Sequence, residues 1–507
     1  TGNEAYVDST IIDGNRMGYC VEIITEDDAW QDATVRGFSI TNGVVCGIAI
    51  SGDYTNVDVI NCKIFGTVMN TIMSGYGILG GGRDLHLSGV DLFHNYEGAG
   101  LLIGSYINEI TFDPDNLCNI YDNHPYDITA SGNIGNIEVF VDTFTVADPR
   151  YNYFAHIRGQ TTPITNPTAY NFHIQNAVLD IVNSDLFVAT DGDDNNSGLT
   201  SAEPLQTIAL ALRKIESDSL NPKTVHVAAG VYDNHLNNQI YPLTLKSFTN
   251  LSGAEMETTF LQNDYINNMI YIDNVHNTVV ENFTLHHPNQ DRADFLGIMF
   301  SNKVTFRNLI GEDAVITGDD GICTVYFYPV DELLMENVTL RNNVGRVGAG
   351  LVCPRGNGTF RNCVFDNNDT TDEYDSRSSN IYFCADGDVM IENCIFANSY
   401  AAEQYDDCSH AVHTVSLFGA QYVEPKIDIY NSLFYNNSLP IGSVFTMRGP
   451  YNLDNNVAND TLSSIINCTF VGNSSPDETI NLNGNHNIYN TIFYDNETGY
   501  EVGLFYN

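Results

Sequence analysis

Apolar and polar residues alternate in a nine-residue phrase that recurs along the second half of the chain. FRNCVFDNN at 360–368 returns, with changes, as IENCIFANS at 391–399, IYNSLFYNN at 429–437, IINCTFVGN at 465–473 and IYNTIFYDN at 488–496. Alternation with a period of two predicts a half-buried strand, and the asparagine-rich end predicts a bend. The phrase therefore predicts strands and turns rather than helices.

One asparagine, the marker asparagine, holds the same place in every copy of the phrase. Markers occur at positions 337, 362, 393, 431, 467 and 490, in steps of 25, 31, 38, 36 and 23 residues. The smallest steps suit one turn of a coil made of three short strands and three bends, and the larger steps suit the same turn with a loop inserted. We expect the markers to point inward, to stack and to bond to the backbone at the bend.

A unit this short cannot bury its own apolar face, and this decides the architecture. Stacked coils can bury it, because each strand pairs in parallel with its counterpart about 4.8 Å above. The lack of a 3.6-residue period excludes a helical solenoid, and a sandwich would show regular hairpin turns. We predict a solenoid of strands in which one ladder contains Cys62, Cys363, Cys394 and Cys468. Cys363 and Cys394 fall near disulfide distance, and buried free thiols are the favoured alternative.

The segment 186–217 departs from the strand pattern. It reads as a strand, an acidic loop, Pro204 and then TIALALRKI, in which Ile208, Leu212 and Ile215 share one helical face. A short helix placed there can cover the open end of a strand solenoid, where unpaired backbone groups would otherwise invite aggregation. The segment therefore predicts a cap.

The chain also repeats itself at an offset of about 249 residues. STIIDGN at 9–15 matches TTFLQND at 258–264, and residues 83–101 match residues around 331–350. We predict two tandem modules: residues 1–185 are the C-terminal part of the first, and residues 186–507 are the second. Within the second, residues 186–250 form the N-terminal cap with its helix and residues 251–507 form the coils. We expect the chain to be a piece of a longer tandem protein.

The module opening carries a resemblance to a known family. ATDGDDNNSGL, Pro204, TIALAL and VHVAAGVY resemble the opening of modules in large secreted bacterial surface proteins of the pectin-lyase-like superfamily, with Ala229 where that family has Pro. The resemblance implies an all-β, right-handed parallel β-helix. It implies little about function, because this fold carries lyases, hydrolases, esterases, adhesins, phage fibres and passive stalks.

The charge of the chain limits its partners. Twenty Lys and Arg residues stand against 64 Asp and Glu residues, a formal net charge of −44. Such a surface repels phosphate backbones and anionic lipids, which argues against nucleic-acid binding and membrane-surface binding. It also disfavours polyuronate sugars unless calcium bridges the two anions. No apolar run approaches the roughly 20 residues that cross a bilayer, so we expect no membrane insertion.

The acidic loop DGDDNN at 191–196 is the best candidate for a metal site. Asp191, Asp193 and Asn195 alternate as hard oxygen ligands do in calcium loops, although the glutamate at the twelfth position is missing. Calcium there would fasten the loop to the cap. The alternative is a plain turn rich in Asp and Asn.

Other polar residues receive structural interpretations. Asp319 and Asp320 resemble the aspartate pair of polygalacturonase-type hydrolases, but the other signatures of those enzymes are missing and the pair is interpreted as an acidic turn. We expect Arg341 and Arg361 to bridge to carboxylates. The histidine pairs in LHHP at 285–288 and SHAVH at 409–413 are expected to face solvent, and no catalytic residue is assigned.

Two functions remain open. The first is a non-catalytic structural or adhesive module of a larger extracellular or cell-surface protein, which contacts other modules, copies of itself or extracellular glycans. The second is a polysaccharide lyase or glycoside hydrolase whose groove is walled by the insertions 369–379, 400–425 and 449–460. Outward carboxylates and an Arg or Lys from neighbouring coils that converge within about 5 Å in a groove would favour the second function.

Overall fold

The alternating segments form strands that stack in parallel. The computed structural model describes residues 7–24, 31–50, 55–67, 70–74, 83–95, 98–103, 107–131, 137–147, 153–156, 170–263, 268–287, 295–315, 323–345, 348–370, 378–400, 413–419, 425–440, 442–450, 462–483 and 486–505. Every pairing between the strands of these ranges is parallel. The fold is therefore a right-handed parallel β-helix, as the phrase and the resemblance predict.

The chain divides into two units, Thr1–Val182 and Asn183–Asn507. The described strands of the first unit form three sheets, and in each sheet a strand pairs with its counterpart one coil further along. The strands of the first sheet are Ile11–Asp13, Ser39–Thr41, Lys63–Phe65, Asp91–Phe93, Cys118–Tyr121, Ile137–Val146 and Tyr170–Leu179; those of the second are Tyr19–Ile23, Cys46–Ile50, Asn70–Ser74, Gly98–Ile103, Pro125–Ser131 and Tyr153–His156; those of the third are Gln31–Arg36, Thr55–Ile60, Arg83–Ser88 and Ile107–Phe112.

The second unit begins with the strand Leu186–Val188, which is followed by the helix Ile208–Lys214. The helix packs against this strand and against the strands Lys223–Val227 and Leu243–Thr244. Its Ile208 and Leu212 are buried, as the helical periodicity predicts. The side chain of Thr207 caps the first turn by accepting a hydrogen bond from the Leu210 amide, an arrangement favoured at helix N-termini.

The remaining strands of the second unit continue the coil to its last described residue. They are Gly230–Asp233, Thr249–Gly253, Thr259–Gln262, Ile270–Asp273, His276–His286, Leu296–Glu312, Cys323–Arg341, Val344–Gly345, Gly348–Arg361, Val364–Asp366, Asp369–Thr370, Ser378–Glu392, Ile395–Ala397, His413–Gly419, Ile427–Tyr430, Leu433–Tyr435, Ser443–Pro450, Ser463–Ile466, Thr469–Val471, Ser474–Asn483, His486–Tyr489, Ile492–Tyr494 and Glu497–Phe505.

Identical positions of the phrase stack into ladders inside this unit. The rings of Phe365, Phe396, Phe434, Phe470 and Phe493 lie one above another, with successive centroids 5.1, 4.9, 4.3 and 5.2 Å apart. This spacing follows the separation of hydrogen-bonded strands, about 4.8 Å. The ladder buries the apolar column that no single coil could bury by itself.

The marker asparagines stack, but the prediction that they point inward is wrong. All six are exposed and have positive φ, between 48° and 56°. Their amides bond to each other across coils, as in the 3.1 Å bond from Asn362 Nδ2 to Asn337 Oδ1. A residue in the left-handed region turns the chain sharply, and asparagine tolerates that region better than most residues. The marker forms the corner, and the following residue points into the core.

A second asparagine ladder, six residues after the markers, is the inward one. Asn343, Asn368, Asn437 and Asn473 are completely buried. Asn473 Nδ2 donates to the carbonyl of Phe434 at 3.0 Å, and its Oδ1 accepts from the backbone and side-chain amides of Asn437, both at 3.0 Å. Each buried side-chain amide thereby forms hydrogen bonds with backbone groups that have no strand partner at the bend.

The cysteine prediction is confirmed for the three members in the second unit, and the place of Cys62 in the same ladder stays a prediction because Cys62 belongs to the first unit. Cys363 and Cys394 occupy consecutive coils at one position, because Val364 pairs with Ile395. Both are buried free thiols, as is Cys468 two coils beyond Cys394. The thiols fill space in the core beside Val338 and Ser432 of the same ladder.

Candidate functional site

One outward face of the second unit carries a ladder of alternating charge. This face, the groove face, consists of the strand segments that precede the marker asparagines and precede Asn282 and Asn308, which continue the marker ladder in earlier coils. Strand register places in one column Glu281, Arg307, Glu336, Arg361, Glu392 and Tyr430. We call this column the charge ladder.

Both arginines of the charge ladder bridge the carboxylates above and below them. Arg307 Nε lies 2.9 Å from Glu336 and its Nη1 lies 3.4 Å from Glu281. Arg361 Nε lies 3.0 Å from Glu392 and its Nη1 lies 3.6 Å from Glu336. The hydrogen bonds to Glu336 and Glu392 raise the pKa of Arg307 and Arg361, respectively. The predicted bridging of Arg361 is confirmed, and neither guanidinium is prepared to act as a base.

A groove of about 530 Å³ runs beside the charge ladder across four coils. Its floor is a second column of outward residues, each of which lies two positions before a member of the charge ladder. These residues are Leu334, Thr359, Met390 and Asp428. The wall opposite the ladder is formed by Glu332, Asn357, Asp388 and Lys426. The groove therefore changes from an apolar floor at Leu334 to a carboxylate at Asp428.

Asp428 closes the polar end of the groove. Although its side chain faces outward, only 8% of the residue is exposed. Its Oδ2 accepts from Lys426 Nζ at 2.6 Å and from the Tyr430 hydroxyl at 3.1 Å. Its Oδ1 is also buried and accepts no hydrogen bond from the part of the chain that the structure describes.

The donors around Asp428 are held in their protonated forms. The hydrogen bond and charge of Asp428 raise the pKa of Lys426 above its ordinary value. Burial, followed by the hydrogen bond to Asp428, raises the pKa of Tyr430. A general base works best with a pKa near the working pH, so neither side chain is tuned for proton abstraction. The arrangement is suited to donating hydrogen bonds and binding.

The predicted calcium loop folds as a turn. Asp193 Oδ1 accepts from the backbone and side-chain amides of Asn195 at 2.9 and 2.7 Å, and Asp191, Asp193 and Asn195 are all exposed. The calcium site stays a prediction, which a calcium titration followed by the thermal midpoint tests. Sequence reasoning missed Asp194, whose carboxylate accepts hydrogen bonds from the Gln206 amide and from both Thr207 donors, each at 2.9 Å.

A second group of residues has metal-ligating atoms close together. One ligand atom each from His286, Glu312 and Asp313 lie within 4.8 Å of one another. Arg341 already donates to Glu312 through Nε at 2.8 Å and Nη2 at 2.5 Å, which confirms its predicted bridging. A guanidinium bound to the central carboxylate opposes a cation, so we do not assign a metal here.

Some predictions about side chains fail or lie outside the described residues. His287 is buried and stacks on Phe295 with centroids 5.6 Å apart, so its predicted exposure to solvent is wrong. A histidine at the end of a strand can turn inward where an aromatic neighbour covers it. Asp319, Asp320 and most of the insertions 369–379, 400–425 and 449–460 lie outside the described residues.

Comparisons with known proteins found one family model and several solved structures that are similar to parts of this chain. Residues 190–259 match the model of a family described as a protein of unknown function (DUF1565). Similar solved structures include a rhamnogalacturonan lyase (13% identity, 59% of this chain and 75% of that chain, TM-score 0.36). They also include pectin methylesterase PemA from Erwinia chrysanthemi (12%, 63% and 90%, 0.25) and the surface adhesin PfbA of Streptococcus pneumoniae (10%, 88% and 84%, 0.22).

These likenesses concern the fold and carry no argument about activity, because identities are low and TM-scores are below 0.5. No curated protein matches the chain. Among the described residues, no helix has the length and apolar character needed to span a membrane.

Proposed function

We propose that the chain is a non-catalytic structural and adhesive module of a larger extracellular protein. One observation carries the proposal: three cations along the groove face, Arg307, Arg361 and Lys426, are bound to carboxylates, and these contacts raise their pKa values. Arg307 and Arg361 each bridge two glutamates, and Lys426 is paired with Asp428. Charges arranged in this way fasten neighbouring coils to each other.

The location and partners belong to the same proposal. The net charge of −44 favours solubility and disfavours nucleic acid and anionic membranes. The opening of the second module resembles secreted bacterial surface modules, which supports an extracellular or cell-surface location. Partners of such a module are other modules of the same protein, copies of itself or extracellular glycans.

A carbohydrate-active enzyme is the second candidate, and a specific observation favours it. Lys426, Asp428 and Tyr430 converge in a groove, and Arg361 lines the same groove. Arg361 also lies within 3.6 Å of Glu336 and Glu392 from the neighbouring coils, which is the convergence expected of an enzyme. The raised pKa values of all three donors weigh against it.

Degradation assays separate the two candidates. The protein is incubated with polyuronates and neutral polysaccharides, with and without calcium, and unsaturated and reducing ends are measured. We expect no release above the buffer control. Release by the wild type that disappears in the Lys426→Met variant would refute the non-catalytic proposal, because it would place the chemistry in the groove rather than in a contaminant.

A further inference from the structure

We draw no further inference here: the strongest candidate, the exposed apolar face that the short strands of the last described coils of the second unit form with Ile395, Tyr435, Ile492 and Tyr494, carries nothing, because nothing in the described part of the structure shows what covers it.

Discussion

Asparagine has two different roles in this coil, and the position of each residue decides which. A marker such as Asn467 is exposed, has φ of +56° and forms the corner of a bend. Six residues later, Asn473 is completely buried and satisfies two backbone groups of the preceding coil, the Phe434 carbonyl and the Asn437 amide. Because a buried amide has no water to replace its partners, the second role should dominate stability.

Asn473→Ala is therefore expected to destabilise the protein by roughly 3 kcal/mol, since it removes the donor to the Phe434 carbonyl and the acceptor of one backbone and one side-chain N–H of Asn437. The measurement is the shift in urea unfolding. Asn467→Gly is the matched control and should cost less than about 1 kcal/mol, because glycine adopts positive φ freely. Equal losses in the two variants would contradict the division of roles.

Asp273 adds a dependence on pH at the same scale. It is buried, its Oδ2 accepts from the Tyr271 hydroxyl at 3.0 Å, and burial raises its pKa to about 7. In the unfolded chain a carboxyl group ionises near its ordinary pKa of about 4. Between these values the folded state holds a proton that the unfolded state has lost, so stability falls as the pH rises towards 7.

We expect Asp273 to lower the free energy of unfolding by about 1.4 kcal/mol for each pH unit between its unfolded-state and folded-state pKa values. Above the folded-state pKa it should cause no further loss. Asp273→Asn removes the titrating carboxyl group. The unfolding free energy of this variant should therefore fall less steeply than that of the wild type between about pH 5 and pH 7. Asp193→Asn is the control, because the pKa of that exposed carboxyl is lowered by the Asn195 amide and it stays ionised over this range. Parallel profiles for wild type and Asp273→Asn would be incompatible with this account.

At the scale of elements, the capping helix is fixed by contacts at both of its ends. Asp194 holds the residues before its first turn, and Lys246 Nζ donates to the carbonyls of Arg213 and Ile215 at 2.8 and 3.0 Å. A seven-residue helix is too short to be stable by itself in water. Its stability therefore depends on these contacts and on its buried face.

Asp194→Ala should destabilise the second unit by about 2 kcal/mol, because three donors lose their acceptor. Hydrogen exchange of the amides of residues 208–214 is the direct measurement and should become faster. Asp193→Ala, in the exposed turn beside it, is the control and should change this exchange little. Unchanged exchange in Asp194→Ala would show that packing alone holds the helix.

At the scale of the whole molecule, the chain divides into two units, and each is a set of stacked coils. The second unit has its own capping helix, and its described strands pair with other strands of the same unit. Repeat arrays draw their stability from contacts between neighbouring coils. The second unit should therefore fold by itself.

We expect residues 183–507, produced alone, to give a β-type circular dichroism spectrum and cooperative unfolding. Residues 251–507, which lack the cap, serve as the matched comparison and should unfold at a lower temperature and aggregate, because their first strands are left open. A fragment 183–507 that is unfolded while the full chain is folded would show that the units depend on each other.

The sequence by itself determined the strands, the bends and the helix. Period-two alternation around Phe365 and Phe396, with marker asparagines at a repeated place, requires stacking, because one coil has too little apolar surface to bury. The helical face that contains Ile208 and Leu212 could also be predicted, because the spacing of apolar residues along the chain encodes it. Burial of the cysteine ladder followed from its constant position beside the markers.

Only the tertiary structure decided which asparagine faces inward and where the groove lies. The sign of φ at the marker sets the direction of its side chain, and alternation along the strand does not encode that sign. Leu334, Thr359, Met390 and Asp428 are 25 to 38 residues apart in successive steps, with insertions of unequal length between them. Their shared column exists only because parallel register aligns the strands, and the buried oxygen of Asp428 depends on neighbours that the register supplies.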